Sequence, residues 1–287
     1  MKPLAAFFIL LGCALHCHAQ QTLPDGVLRV CQDPNNLPFS NLQGEGYENR
    51  IAELLANKLG WKLEYTSFPQ RMGFIRNTLR FKLPGENYRC DLVIGVPADY
   101  ELTATTQAYF RSTYALVIRN EGVTAGVRSE RDFLALPAHE LSKMRIGVHT
   151  RSPGSEWLAE HGLVAQAVPY LTLNADPERY PGEMVERDLA GGRIDAALVW
   201  GPVAGYFAAR VSSPSLTVIP LQSTPVSHLD FAIAMGVRQE DKAWKAKLDT
   251  LISENRDAIV AILREYRVPL LEADVLASQR NKTEAHP

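Results

Sequence analysis

Short apolar runs alternate with amphipathic segments along the first part of the chain. Residues 28–31 form an apolar run, residues 61–65 alternate as in a strand, and residues 91–96 form a compact apolar run. Between them, residues 47–59 carry apolar side chains at helical spacing, and a second helix is expected over residues 72–81. This order of strands and helices predicts a parallel sheet covered by helices.

The same pattern starts again in the middle of the chain. Strands are predicted at residues 113–119, 145–148 and 194–200, with helices beginning near Ser152 and over residues 183–190. Two more strands and an apolar-faced helical segment complete the pattern; they lie at residues 216–220, 231–237 and 244–263. The chain therefore contains two α/β units, followed by a strand and helices.

The simplest packing returns the C-terminal segment to the first unit. The predicted architecture is a two-lobed α/β protein, with residues 20–115 and 230–287 in lobe 1 and residues 116–229 in lobe 2. Two crossings, near residues 112–119 and 226–237, would act as a hinge. Ligands favour the carboxyl ends of strands in such sheets, so we expect a binding cleft between the lobes.

The N-terminus is typical of a secretory signal peptide over residues 1–19. Lys2 supplies the positive charge, residues 4–15 are apolar but too short to span a bilayer, and Ala19 ends a small-residue cleavage site. Residues 10–13 also resemble a lipoprotein box, which would make Cys13 the modified N-terminus. Either interpretation predicts export to the periplasm.

Composition narrows the possible partners. The formal net charge is −2, and acidic and basic residues alternate, so nothing indicates nucleic-acid binding. No segment after the N-terminus is long and apolar enough to cross a membrane. Cys31 and Cys90 remain after signal cleavage, and an exported protein could join them in a disulfide or keep them as buried thiols.

Five ordered strings resemble the MxaJ/XoxJ group, whose members have the type II periplasmic binding protein fold of solute-binding family 3. The strings are residues 29–41, 64–79, 90–97, 109–114 and 199–207. The resemblance covers nearly all of the mature chain. It implies a periplasmic accessory protein whose partner is a PQQ-dependent alcohol or methanol dehydrogenase or its cytochrome, and which carries no cofactor of its own.

The ligand does not follow from this resemblance. Amino-acid-binding members of the wider fold use an arginine in lobe 1 and an aspartate in lobe 2. Here Trp200, Gly201 and Pro202 stand where that aspartate is expected. This departure argues against ordinary amino-acid binding.

Lobe 1 offers two groups of candidate ligand-binding residues. Asp33, Asn35 and Phe39 follow the first strand, where Asp33 could accept hydrogen bonds from a ligand or only form an Asx-turn, and Phe39 could line a pocket or join the core. Gln70, Arg71 and Arg76 begin the second helix, where a guanidinium suits a carboxylate but could also lie on a solvated helix face.

Lobe 2 offers a helix start and two aromatic residues. Thr150, Arg151, Ser152 and Ser155 bring hydroxyl and backbone N–H groups to a helix N-terminus, which suits an anion or simple capping.

Trp200 and Tyr206, together with Tyr109 of lobe 1, lie near predicted strand ends. They could line an apolar cleft, form a partner surface or pack between the lobes.

Signals for catalysis are weak. The histidines show no metal-ligand spacing, no Gly-x-Ser-x-Gly motif occurs, and no pair of acids stands out. We therefore expect a protein that binds without catalysing a reaction and that holds no metal. The main alternative is a solute receptor of an ABC transporter for a small polar molecule; an enzyme of the same fold is the third possibility.

Overall fold

The computed structural model describes residues 26–70, 73–172, 176 and 178–271. The predicted signal peptide and Arg71 lie outside the described residues. Among the described helices, none is long and apolar enough to cross a membrane.

Most strands of the described chain join one curled sheet. Its order is β4-β1-β5-β12-β7-β10-β8-β9, with β6 beside β12 and β11 beside β7, while β2 and β3 form a separate ribbon. The strands are β1 Val27–Gln32, β2 Asn35–Asn36, β3 Ser40–Asn41, β4 Lys62–Ser67, β5 Leu92–Pro97, β6 Ala104–Thr105, β7 Phe110–Arg119, β8 Ile146–His149, β9 Ala167–Tyr170, β10 Ala196–Trp200, β11 Leu216–Pro220 and β12 Asp230–Val237.

Each predicted helix is present, one of them much shortened, and two short helices at residues 130–134 and 138–141 were not predicted. The helices are α1 Tyr47–Leu59, α2 Phe74–Asn77, α3 Glu130–Leu134, α4 Ala138–Leu141, α5 Pro153–Glu160, α6 Gly201–Arg210, α7 Lys242–Glu254 and α8 Arg256–Glu265, with a π-helix at Met184–Leu189 and 3-10 turns at Gly122–Thr124 and Val164–Gln166.

The helix expected over residues 72–81 is only four residues long. Gly73 precedes α2 with a φ of 87°, a left-handed conformation outside the helical region. At the other end, Thr78 leaves helical geometry with ψ of −87°, and its Oγ1 donates to the Phe74 carbonyl at 2.6 Å. The apolar pattern predicted the buried face of this segment but not these local interruptions.

Lobe 1 is built on the parallel strands β4, β1 and β5, with β12 antiparallel beside β5. Helices α1, α7 and α8 cover one face of this sheet. Their contact residues include Ile51, Leu55, Trp244, Leu248 and Leu263, all at most 1 % exposed. The C-terminal helices therefore pack on the same core as the first helix.

Lobe 2 is built on the parallel strands β10, β8 and β9, with β7 antiparallel to β10. Helices cover both faces of this sheet. Trp157 of α5 is buried with Phe133 on one face, and Phe207 of α6 is buried with Leu189 on the other.

Strand β7 connects the two lobes. Its residues 110–113 pair with β12, and its residues 114–118 pair with β10. The carboxyl ends of the parallel strands in both lobes then point toward the space between them.

A disulfide and a buried charge cluster strengthen lobe 1. Cys31 of β1 is bonded to Cys90, which confirms the predicted disulfide. Beside it, the Asp91 carboxylate accepts from Arg29 Nε and from Arg238 Nη2, both at 2.7 Å. These contacts tie the start of β5 to β1 and to the residue that follows β12.

Candidate functional site

A cavity of about 170 Å³ lies between the lobes. Lobe 1 contributes residues that follow β1 and β4, and lobe 2 contributes residues at the ends of β8 and β9 and before the π-helix. The lining residues are Asp33, Pro34, Asn35, Asn36, Pro69, Gln70, His149, Tyr170, Leu171, Thr172, Arg179, Tyr180, Pro181, Glu183 and Met184. The cavity lies at the carboxyl ends of strands from both lobes, where ligands of open α/β folds bind.

On the lobe 1 wall, Asp33 shapes the loop. Its Oδ1 accepts from the Asn35 N–H at 2.8 Å, and its Oδ2 accepts from the Gln70 N–H. The Gln70 side chain in turn accepts from Asn36 Nδ2 at 2.8 Å. Asp33 thus forms an Asx-turn and joins two loops, while the side chains of Asn36 and Gln70 keep further hydrogen-bonding capacity toward the cavity.

Sequence reasoning missed a neighbouring acid, Glu48, in the first turn of α1. An added Cβ on Gly95 would lie 2.1 Å from Glu48 Oε1, so the carboxyl packs directly against β5. Burial, with repulsion from Asp33 as the second cause, raises the pKa of Glu48 to about 8. This carboxyl is consequently protonated through most of the neutral range.

On the lobe 2 wall, the charged side chains are already paired. Arg179 Nη1 contacts Glu183 Oε2 at 2.5 Å. Tyr170 donates to Asp188 Oδ2 at 2.6 Å, and Tyr180 donates to Glu186. The wall is therefore polar but close to neutral.

His149 lies on the same wall but, unlike these paired side chains, has an imidazole without a described side-chain hydrogen-bond partner. It was not among the candidates chosen from the sequence. Its ring lies edge-on to Tyr170 with the centroids 6.3 Å apart, and burial lowers its pKa. No described side chain hydrogen-bonds the imidazole. A neutral ring with one donor and one acceptor nitrogen thus faces the cavity. His149 is the last residue of β8 and directly precedes Thr150, one of the ligand-binding candidates chosen from the sequence.

The predicted helix start at Thr150–Ser155 forms a cap. Ser152 N donates to Ser155 Oγ at 3.1 Å, and Ser155 N donates to Ser152 Oγ at 3.4 Å. The Thr150 N–H donates a hydrogen bond to the Tyr170 carbonyl at 2.9 Å. Arg151 is exposed, with a positive φ of 54°. The structure therefore brings out the capping role of Ser152 and Ser155, and it places neither of them in the cavity lining.

The predicted aromatic residues separate into three places. Tyr109 is 1 % exposed and donates to the Ile94 carbonyl at 3.1 Å, so it lies in the core of lobe 1 and not at the cleft. Trp200 lies on the hinge, with ring centroids 5.5 Å from Tyr114 and 5.8 Å from Phe231.

Phe39 and Tyr206 pack at the junction between the lobes. Phe39 contacts the apolar clusters of both lobes. The ring of Tyr206 stacks on Tyr266 at 5.7 Å and 14°. An added Cβ on Gly205 would lie 1.9 Å from the Arg267 carbonyl oxygen, so α6 packs closely on the residues after α8. The lobes are in firm contact on this side.

A second cavity of about 600 Å³ lies on lobe 1 alone, and we call it the lobe 1 pocket. It is lined by Gln70, Gly73, Phe74, Ile75, Arg76, Arg80, Val93, Gly95, Val96, Pro97, Tyr100 and Leu102. Of the predicted residues, Gln70 borders both cavities, and Arg76 borders this one only. Asp33 and Asn35 border the cavity between the lobes.

No group of three or more metal-ligating side chains occurs among the residues that the structure describes. The arrangement between the lobes suits hydrogen bonding to a small polar group, with paired charges and amide, imidazole and phenol side chains around it.

No family model matches the chain. Among curated proteins, it is 32 % identical over 270 residues to protein MoxJ of Methylorubrum extorquens, which covers 88 % of this chain and 85 % of the relative. Protein MoxJ of Paracoccus denitrificans is 27 % identical over 278 residues, covering 91 % of this chain and 95 % of the relative.

Solved structures agree with these relatives. The periplasmic binding protein XoxJ from Methylobacterium extorquens AM1 superposes with a TM-score of 0.67 at 37 % identity, covering 85 % of this chain and 99 % of that one. MxaJ from Methlophaga aminisulfidivorans MPT superposes with a TM-score of 0.69 at 21 % identity, covering 85 % and 100 %. An ancestral cationic amino acid solute-binding protein shares the fold with a TM-score of 0.62 at 17 % identity, covering 84 % and 96 %.

Proposed function

The chain belongs to the MoxJ/MxaJ/XoxJ family of periplasmic binding proteins, and on that premise we propose that it is a periplasmic accessory protein of a PQQ-dependent alcohol or methanol dehydrogenase. It binds a small ligand or a segment of that partner between its lobes and catalyses no reaction. The family relation supports the class of protein, while the partner, the location and the ligand belong to the proposal.

The observation that carries the proposal is the cavity between the lobes. Its walls come from both lobes, and the side chain of Leu171 at its edge is 68 % exposed. An exposed leucine beside a polar cavity suits a partner segment that buries an apolar side chain and places a polar group inside. The close packing of α6 on the segment after α8 favours docking into a cleft that already exists over a wide closure of the lobes.

Binding without catalysis is supported by the state of two charged side chains that line the cavity. Asp33 is held by two backbone N–H groups, and Arg179 is paired with Glu183. A general base or nucleophile needs an activated group within reach of the substrate, and these side chains are engaged in structural contacts.

The decisive test is association of the full mature chain with the dehydrogenase. We expect the purified dehydrogenase to bind immobilised protein, and Leu171→Asp to weaken this binding about tenfold or more, because the interface would bury a charge without a partner. Val164→Asp is the matched control, since Val164 is also in lobe 2 and 61 % exposed but lies outside the cavity. Absence of binding by the unmodified protein, or equal losses for both variants, would refute the proposal.

The transporter-receptor alternative has no specific observation in its favour. The amino-acid-binding structures that superpose on this chain are 17–22 % identical to it and establish the fold alone. A calorimetric screen with amino acids and short carboxylic acids addresses it, since a receptor would show tight binding to one of them in the absence of the dehydrogenase.

A further inference from the structure

The lobe 1 pocket combines an apolar wall with a cationic edge. Phe74, Ile75, Val93 and Val96, each at most 7 % exposed, supply apolar surface to the pocket. Leu102 is 46 % exposed beside them and extends this surface to the opening. The volume of about 600 Å³ is in the range of pockets that hold small organic ligands.

Two arginines stand at the edge of this pocket. Arg80 Nη2 donates to the Leu102 carbonyl at 2.6 Å, which directs its guanidinium along the opening. Arg76 is exposed at the end of α2. Among the described residues, no carboxylate forms a salt bridge with either arginine, whereas Arg29, Arg145 and Arg238 are each paired with an aspartate. Both guanidinium groups thus retain donors for an incoming anion.

The pocket has a rigid base. Phe74, Ile75, Val93 and Val96 belong to one apolar cluster with the bonded pair Cys31 and Cys90. The covalent link therefore joins β1 and the start of β5 directly beneath the pocket wall. A preformed wall of this kind lowers the entropic cost of binding an apolar group.

We propose that the lobe 1 pocket binds an amphipathic carboxylate, with the apolar body of the ligand against Phe74, Val93 and Val96 and its carboxylate on Arg76 and Arg80. A planar guanidinium suits a carboxylate geometrically, and the apolar wall gains free energy from covering a hydrocarbon or aromatic body. This site lies next to the cavity between the lobes and shares only Gln70 with it. It does not depend on the proposed dehydrogenase partner.

The test uses octanoate as the probe and 1-octanol as its uncharged counterpart, measured by calorimetry with the full mature protein. We expect octanoate to bind at least about tenfold more tightly than 1-octanol, because only the carboxylate forms charge-assisted hydrogen bonds. Arg76→Gln should weaken octanoate binding about tenfold, and Arg76→Lys should restore part of it. Arg131→Gln, at an exposed arginine of α3 in lobe 2, is the matched control and should change nothing.

The position at which octanoate binds is checked separately, by changes in amide NMR chemical shifts. Octanoate should move the signals of residues 93–102 and leave those of His149 and Tyr170 in place. Equal affinity for octanoate and 1-octanol, an Arg76→Gln variant that binds like wild type, or shifts confined to the cavity between the lobes would each overturn the proposal. Because the dehydrogenase is absent from this experiment, its outcome is independent of the partner proposed above.

Discussion

The two lobes share a strand-and-helix plan but are stabilised by different means. Lobe 1 contains the disulfide Cys31–Cys90 and the Asp91 carboxylate, whose side chain is 4 % exposed between two arginines. The corresponding ion pair of lobe 2, Arg145–Asp195, has side chains that are 50 % and 27 % exposed. The disulfide and this ion pair of lobe 1 thus lie inside its core, whereas the Arg145–Asp195 pair of lobe 2 lies near the solvent.

This difference extends to the two walls of the cavity between the lobes. The Asp33 loop directly follows the crosslinked strand β1, so lobe 1 presents a fixed wall. The wall of lobe 2 is formed by His149, Tyr170 and the segment before the π-helix, with no covalent link among them. Non-covalent contacts hold the lobe 2 wall instead, such as Tyr170–Asp188 and Arg179–Glu183.

The largest effect is expected for Asp91→Ala in lobe 1. The change removes the carboxylate that Arg29 and Arg238 share, and Arg238, only 5 % exposed along its side chain, keeps Asp241 as its remaining acidic partner. Removing one partner from a buried ion pair costs roughly 3–5 kcal/mol in free energy of unfolding. Urea denaturation of the variant measures this loss, and a loss below about 1 kcal/mol would show that the cluster does not stabilise lobe 1.

Removal of the disulfide should have the next largest effect. The double variant Cys31→Ala/Cys90→Ala opens a link between residues 59 positions apart, which enlarges the entropy of the unfolded chain. We expect a loss of roughly 2–4 kcal/mol in urea denaturation. Reduction of the wild-type protein under denaturing conditions, followed by refolding with the thiols blocked, should give the same loss; a variant as stable as wild type would contradict the role assigned to the link.

These stabilising contacts in lobe 1 were only partly predictable from the sequence. The positions of the strands followed from apolar runs, and the turn at Asp33 followed from its residue types. Two cysteines in an exported chain allowed the disulfide, but pairing needed the geometry of the fold. The partnership of Asp91 with Arg238 joins residues 147 positions apart, and no local pattern encodes such a contact.

The residues of lobe 2 that line the cavity were harder to predict. A helix start rich in hydroxyl groups drew attention to Ser152 and Ser155, yet each of these hydroxyl oxygens accepts from the backbone N–H of the other residue. His149 and Arg179 line the cavity because β8 and the segment after β9 converge in space. Tyr109 likewise lies at a predicted strand end but faces the core, because the face of a residue next to a strand end depends on the pairing register.

Glu48 of lobe 1 should make the stability of the folded protein depend on pH. Burial raises its pKa to about 8, so the folded state binds a proton that the unfolded state releases above its ordinary value near 4.5. Stability should therefore fall as pH rises from about 4.5 to about 8. Glu48→Gln should remove this fall, which between pH 6 and pH 8 amounts to roughly 2 kcal/mol in the wild-type protein. Unfolding at pH 6 and pH 8 measures it, and parallel curves for both proteins would exclude the effect.

His149 of lobe 2 should give the opposite trend. Burial lowers its pKa, so below its unfolded value of about 6.5 the unfolded chain takes up a proton that the folded protein does not. The contribution of the neutral His149 to the free energy of unfolding is complete above about pH 6.5 and is lost as the pH falls. His149→Gln should therefore flatten the acid side of the stability curve by about 1 kcal/mol or less per pH unit. His139→Gln is the control, since His139 is exposed on α4; an identical response from both variants would remove His149 as the cause.

The smallest effect is expected for Asp195→Ala, the lobe 2 counterpart of the Asp91 variant. Asp195 holds Arg145 through Oδ1 at 2.9 Å and Oδ2 at 3.0 Å, and it also accepts from the Arg145 N–H. Because Arg145 is half exposed, water replaces the lost partner, and the free energy of unfolding should drop by about 0.5–1 kcal/mol. The ratio of this loss to that of Asp91→Ala, measured in the same urea series, tests the contrast between the lobes directly. Equal losses would mean that both ion pairs stabilise to the same extent, and the fixed wall would then have to depend on the disulfide alone.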